Sequence, residues 1–218
     1  MSTGITFDTW HTARDWGLKL LSYHIPMPEP KEKTVDVAGT HGALDLTEAD
    51  GMVYYNRREG IEILFDLDDS SAQKWLAKEL EVSAAIHGQK VKMILDDQPN
   101  YYYMVRLSLD STKSNPVLSR FVLTGSAEPF KYDSSWSFPE RTMASGATVT
   151  LPAGGIGTVP VFQVSRASTD FGFSYNGKTY GLVVGRNRFP DLVVSNNAVT
   201  LKFTGTGGLS IDYRRRYL

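Results

Sequence analysis

The residues whose types and spacing could support chemistry are few and scattered. The histidines, His11, His24, His41 and His87, form neither a His-Glu-x-x-His nor a His-x-His pattern, so a metal site would have to be gathered entirely by the fold. The run Asp66-Leu67-Asp68-Asp69-Ser70 has the acidity of a calcium loop. It lacks the glycine at the sixth position and the bidentate glutamate at the twelfth, and carboxylates ahead of a helix meet the positive end of its dipole. Asp96-Asp97 sits in a predicted hairpin loop, where acidic residues are common turn formers. A glycosidase would need two carboxylates a few ångströms apart, and Asp96, Asp97 and Asp110 are the candidates for a cell-wall hydrolase. There is no Gly-x-Ser-x-Gly elbow and no phosphate-binding loop. The glycines of Ala153-Gly154-Gly155-Ile156-Gly157 and of Gly205-Thr206-Gly207-Gly208 lie between strand-like runs and read as turns. No cysteine is present, which excludes disulfides, thiol nucleophiles and cysteine-held zinc. No catalytic residue, cofactor site or metal site is assigned.

Two further clusters invite a binding reading. Arg214-Arg215-Arg216 could meet phosphate, but the net charge of -1 and the lack of a wider basic stripe favour a solvated tail or an interface edge. Sequence-specific nucleic-acid binding is not expected. Tyr101-Tyr102-Tyr103 could stack on sugar, yet alternate residues of a strand face opposite ways, so at least one ring must point inward.

The elements that must position these residues are mostly strands. Short runs of Val, Ile, Tyr, Phe and Thr, broken by Gly, Pro, Asn and Asp, predict strands over Gly51 to Leu67, Lys90 to Leu95, Tyr101 to Leu109 and Val117 to Gly125. The second and third of these read as a hairpin. One helix interrupts them: Ala72, Trp75, Leu76, Leu80, Ala84 and His87 recur at three- and four-residue steps over Ser71 to His87, with Asp69 or Ser70 as N-cap and Gly88 as stop. Its apolar stripe should pack on a sheet, with Trp75 in the core. Near residue 130 Pro129, Ser134, Ser135, Pro139 and Ser145-Gly146 cluster, which predicts a boundary between a domain 1-129 and a domain 130-218. Past it, runs such as Ala147 to Leu151, Val159 to Val164, Phe171 to Tyr175, Thr179 to Val184, Leu192 to Val194, Ala198 to Thr204 and Leu209 to Tyr213 suggest a small β-sandwich. Asn176-Gly177 is a hairpin turn signal. Charge is divided unevenly, with 13 basic and 19 acidic residues before position 130 and 10 and 5 after it, an asymmetry suited to complementary subunit or partner surfaces. The N-terminus lacks the basic start and apolar core of a secretory signal, and no long apolar run follows, so neither export by that route nor membrane insertion is expected.

Against this background particular stretches become familiar. Gly4-Ile5-Thr6-Phe7-Asp8 leads to Asp15-Trp16-Gly17-Leu18; then come Ile25-Pro26-Met27-Pro28-Glu29-Pro30-Lys31, Gly39-Thr40-His41-Gly42-Ala43-Leu44-Asp45, Tyr54-Tyr55-Asn56-Arg57-Arg58 and Ile61-Glu62-Ile63-Leu64-Phe65. This order, over residues 4 to 125, resembles the N-terminal domain of the distal tail proteins of long-tailed bacteriophages (siphoviruses and their prophages), and Leu209 to Arg214 is similar to the ends of these proteins. The resemblance implies a mainly β fold: an N-terminal β-sandwich or split-barrel-like domain with one α-helix, then a small galectin- or jelly-roll-like β-sandwich. It also implies a structural virion protein at the tail tip, assembled in the bacterial host cytoplasm and not an enzyme. Six N-terminal domains would form a ring that lets DNA pass, between the tail tube protein and the tail-tip hub protein, with a receptor-binding protein as a further partner. Candidate inter-subunit contacts are Trp10, Trp16, His41, Tyr54 and Arg57; for Trp16 and Tyr54 an interface and a core position are equally open. The alternative is a carbohydrate-binding module recognising host surface glycans through a platform of Trp136, Phe138, Tyr175 and Tyr180.

Overall fold

The computed structural model describes residues 3–67, 72–110 and 120–218. These fall into two compact units, Met1–Lys131 and Tyr132–Leu218.

The first unit contains β1 (Ile5–Phe7), β2 (Trp10–His11), β3 (Leu18–His24), β4 (Thr34–Asp36), β5 (Ala43–Asp45), β6 (Arg58–Leu67), α1 (Ala72–Ile86), β7 (Lys90–Leu95), β8 (Tyr101–Asp110) and β9 (Arg120–Ala127). Seven of the strands form an antiparallel sheet in the order β2-β1-β7-β8-β9-β6-β3. Period-two burial drives it: Ile61, Ile63 and Phe65 of β6 point one way into the core with Val91, Met93, Val105, Leu107, Phe121 and Leu123. The hairpin expected from Lys90 onward is present, with Lys90 opposite Arg106 and Met93 opposite Tyr103. The strand expected from Gly51 begins only at Arg58, because residues 51–56 form the returning limb of a separate arm, with Tyr55 bridged to Pro30. The expected caps Asp69 and Ser70, most of the acidic run ahead of them and the start of the Val117 strand lie outside the described residues.

The helix is found, but its expected stripe is divided between two faces. Trp75, Val82 and Ile86 are buried, with Trp75 stacked on Phe121 at 5.6 Å. Leu76 and Leu80 are 53% and 62% exposed, and Ala84 is exposed with them. Steps of three and four fit both sets equally well. The bulk of the indole, seated against β9, decides which set turns inward.

The second unit begins within β10 (Lys131–Asp133) and continues with β11 (Phe138–Met143), β12 (Thr148–Leu151), β13 (Val161–Ala167), β14 (Gly172–Tyr175), β15 (Lys178–Gly181), β16 (Gly185–Arg188), β17 (Val199–Thr204), β18 (Gly207–Asp212) and β19 (Arg216–Tyr217). Two four-stranded sheets, β11-β18-β13-β16 and β12-β17-β14-β15, form a β-sandwich. The sheets meet through Phe162 and Phe173, 4.9 Å apart between ring centroids. Asn176 and Gly177, at φ 48° and 74°, turn β14 into β15 as expected from their types. The strand expected from Thr179 to Val184 ends at Gly181 in β15, and a separate strand, β16, begins only at Gly185. Asn187, 8% exposed, bonds both the amide and the carbonyl of Val183 and the carbonyl of Gly185, which diverts the chain between β15 and β16. Leu192 to Val194 contributes only an isolated bridge, Thr158 to Val194. Pro139, expected in a linker, lies in β11; that strand is an edge of its sheet and its register shifts between Phe138 and Arg141, two features that tolerate proline.

The terminal arginines are engaged and do not form a free cationic tail. Arg214 pairs with Asp212 at 3.1 Å, Arg215 with Asp133 at 2.6 Å, and Arg216 donates to the Gly157 carbonyl. Beside them Tyr213, 4% exposed, donates to the Pro152 carbonyl at 2.8 Å, and burial pushes its hydroxyl from the ordinary 10.0 up to about 12. A proton held more tightly in the folded state is a source of stability that is complete below pH 10 and lost as pH rises toward 12. Thermal melts of the second unit should therefore fall between pH 10 and 12, and Tyr213→Phe should flatten that dependence.

Candidate functional site

Residues 29–56 form an arm that stands off the first unit. At its root the Asn56 amide donates to the Glu29 carbonyl at 2.8 Å and the Lys31 amide to the Tyr54 carbonyl at 2.7 Å. Further out β4 and β5 pair as Thr34 with Asp45, Val35 with Leu44 and Asp36 with Ala43, and Gly39 and Gly42 reverse the chain at φ 84° and 75°. Thr47 braces the arm: its amide donates to Asp45 at 2.8 Å and its hydroxyl accepts from the Lys33 amide at 3.1 Å. Hydrogen bonds from the Thr47 hydroxyl and amide hold the Asp45 carboxyl below the usual carboxylate range. Every residue from Glu29 to Asp45 is exposed.

Cross-strand partners share a face, and alternate residues change face. Val35 and Leu44 therefore lie together, with Val37 two residues on, while Asp36 and Asp45 occupy the opposite side. The apolar side is open to solvent, with Val35 and Val37 each 44% exposed and Leu44 55%. Met52 at 43% and Met27 at 70% add apolar area on the returning limb and at the root. An uncovered two-stranded hairpin is at best marginal in water, and a contiguous apolar face on an otherwise polar arm marks an interaction surface.

The root is tied down by Arg58, 2% exposed. Its Nη1 donates to the Pro26 carbonyl at 2.8 Å and its Nε to the Pro129 carbonyl at 3.0 Å, and the guanidinium lies over the Tyr103 ring at 5.5 Å. Nη2 is buried without a partner, and among the described residues no carboxylate is paired with this group; burial lowers its pKa. Arg58 thus binds the chain entering the arm to the end of the first unit by hydrogen bonding alone. Arg58→Met should leave both carbonyls without donors at a cost of about 1–3 kcal/mol. Faster hydrogen exchange at the Lys31 and Asn56 amides is the expected readout, and Arg58→Lys, able to reach one carbonyl, should fall between the two. A cleft of about 400 Å³ opens beside this root, lined by Pro26, Met27, Glu29, Asn56, Arg57 and Glu59.

Three of the five residues singled out from sequence reach the arm. His41 lies at its tip, Tyr54 (49% exposed) is on its returning limb, and Arg57 at the root donates to the Ser126 hydroxyl at 2.9 Å. Trp10 lies away from it on β2, 47% exposed, stacked at 6.3 Å on Trp16. Trp16 is 1% exposed and in turn stacks on Phe7, also at 6.3 Å. The question left open for Trp16 is answered by that burial: it is core, and its side chain is not presented to a neighbour. Sequence reasoning missed Val35, Val37 and Leu44, since an apolar-acidic alternation reads as a half-buried strand whether or not anything covers it.

The four aromatic residues of the glycan alternative do not share one sheet. Trp136 and Phe138 stack at 6.3 Å beside β18, with Trp136 edge-on to Tyr213 at 5.6 Å. Tyr175 and Tyr180 belong to β14 and β15 of the other sheet, where Tyr180 lies on Phe173 at 4.9 Å and donates to Asp191 at 2.8 Å. Two of the three carboxylates considered for a hydrolase, Asp96 and Asp97, are likewise in structural service. Asp96 accepts from the Gly4 amide and bonds His11, and Asp97 accepts from the Tyr23 hydroxyl. Among the described residues no three His, Asp or Glu side chains gather in a metal-binding cluster, and no helix is long and apolar enough to cross a membrane.

The first unit, a β-sheet with one helix and a projecting arm, and the second, a sandwich of two four-stranded sheets, make this a mainly β chain of two units. One solved structure that shares this fold is the SPP1 Dit (gp 19.1) protein, described as a paradigm of the hub adsorption apparatus in Gram-positive infecting phages. The two agree over 100% of each chain with a TM-score of 0.63 and 12% sequence identity. The distal-tail-type fold expected from the sequence is thereby found. No protein-family model and no curated protein sequence matches the chain.

Proposed function

We propose that this chain is a structural protein of a bacteriophage tail tip, a distal tail hub protein of a siphovirus or prophage, working by assembly and without catalysis. The observation that carries the reading is the agreement of fold with the SPP1 hub protein over the whole of both chains. The uncovered arm supports it, because a protein that ends its assembly as a monomer has no use for an exposed apolar hairpin. In this reading six first units close into a ring between the tail tube protein and the tail-tip hub protein, and second units are free to meet a receptor-binding protein. Ring closure requires a heterologous contact repeated by rotation, so two different surfaces of each copy are used. The excess of acidic residues before position 130 suits a lumen through which DNA passes without being held. Light scattering across a concentration series tests this: a species of six subunits is expected. A monomer at every concentration, with tail tube protein added, would overturn it.

A further inference from the structure

We infer that β16, at the edge of the second unit, receives an extended acidic segment of a partner protein, which adds to its sheet as a further strand. This rests on the reading of the second unit as the part that meets other proteins, and it does not depend on ring closure.

β16 ends its sheet. Its ladder to β13 runs from Val161 opposite Arg188 to Val164 opposite Gly185, and among the described residues no strand pairs its other side. An edge of this kind presents open amides and carbonyls, a template for strand addition. Alternate residues divide β16 between two faces. Asn187 turns inward opposite Phe162, while Arg186 and Arg188 are exposed on the outer face, about 6.8 Å apart along the strand.

Among the described residues neither arginine is paired with a carboxylate, because the 5 acidic residues after position 130 are engaged elsewhere. Asp133 pairs with Arg215, Asp212 with Arg214 and Asp191 with Lys178, while Glu140 accepts from the Ser165 hydroxyl and Asp170 from the Ser168 hydroxyl. Burial lowers the pKa of Arg216, and the charge of nearby Arg188 lowers it further. A carboxylate beside β16 would relieve this crowding of like charge.

The sign of the charge selects the occupant. Charged residues on an edge ordinarily guard a sheet against pairing with another copy. Here the guard is of one sign, so it repels a second β16 and admits a strand whose acidic residues alternate at the same spacing. The entrance is apolar: Val183 and Val184, 68% and 64% exposed, directly precede β16. Asn187 holds them in place through the amide and the carbonyl of Val183, at 3.1 and 2.7 Å. The edge is thus fixed before a partner arrives, which limits the ordering lost on binding. A polyanion without a peptide backbone would satisfy the arginines and leave both the valines and the open backbone groups uncovered.

The probe is a fluorescein-labelled synthetic peptide of alternating valine and glutamate. The full chain should raise its anisotropy saturably, and hydrogen–deuterium exchange should slow over residues 185–188. The same peptide with lysine for glutamate should not bind. A peptide with proline for valine keeps the charge but loses backbone donors, and it should bind roughly tenfold more weakly or worse. Arg186→Glu combined with Arg188→Glu, at positions already exposed, should not lower the thermal melt. It should reverse the preference, so that the lysine peptide binds about tenfold more tightly than the glutamate peptide. Equal binding of the valine and proline peptides would reduce the edge to a charged patch and overturn strand addition. A glutamate peptide that does not bind, or that binds the doubly reversed variant as tightly as the unaltered chain, would overturn it too. The ring reading, judged by oligomeric state, stands or falls separately from all of these outcomes.

Discussion

Replacing Phe173 by alanine is expected to cost the second unit about 3–5 kcal/mol, the range for losing a buried aromatic ring, and to lower its unfolding midpoint by roughly 12 °C or more. Phe173 is fully buried at the centre of the sandwich. Its ring faces Phe162 and Tyr180, each at 4.9 Å, Phe189 at 5.5 Å and Phe203 at 5.8 Å. These four rings come from strands and a loop already fixed by their own pairing, so they have little freedom to fill the space left behind. Calorimetry should show the shift in the transition of the second unit. A loss below about 1 kcal/mol, within what a collapsing site can recover, would show that the aromatic cluster is not the keystone of this unit.

Gly125→Ala is expected to disrupt the first unit at least as severely. Gly125 lies in β9 opposite Leu107 of β8 and Ile61 of β6, so it has a strand on either side. A Cβ at this position would stand 2.2 Å from the Arg106 carbonyl oxygen and 3.0 Å from the Leu107 Cα. Both obstacles are backbone, and relief requires parting β8 from β9 in mid-sheet. The cost should reach or exceed the upper end of the roughly 1–3 kcal/mol typical of overpacking. Gly60→Ala makes a fair comparison, because at φ 77° it is strained but meets nothing within 4 Å, and it should cost only about 1–2 kcal/mol. Chemical denaturation of the two variants should separate them clearly; equal stability would mean that the ladder between β8 and β9 yields where the backbone geometry says it cannot.

These two sites also show where the sequence stops being informative. Strand patterning, the Asn176-Gly177 turn, the hairpin from Lys90 and the existence of the helix are written in local residue types, and the structure follows them. Gly125 reads as an ordinary strand ending, since the carbonyl that forbids a side chain there comes from a neighbouring strand. The helix stripe was legible as a period but not as a direction. Leu76 and Leu80 repeat as regularly as Trp75, Val82 and Ile86, and only the packing of Trp75 on Phe121 sorts them. Pro139 suggested a linker because the edge position and shifted register that accommodate it are properties of the folded sheet. For the candidate site the outcome is similar. His41, Tyr54 and Arg57 drew notice by type and do lie on the arm or its root, whereas Val35, Val37 and Leu44 carry its apolar face and have a pattern that any half-buried strand would show.

The acceptance of Arg58 into an apolar setting belongs to the same account. Arginine is almost never fully buried unless paired, yet the carbonyls of Pro26 and Pro129 converge on Arg58 from residues far apart in the chain. What this arginine secures is the base of the arm. An arm held rigidly at the root loses less conformational entropy when it docks.

Electron microscopy of the purified chain at high concentration, alone and with tail tube protein, tests the central claim most directly. Closed rings with six-fold symmetry and an open lumen are the predicted result. Particles that remain single two-unit molecules under both conditions would contradict it.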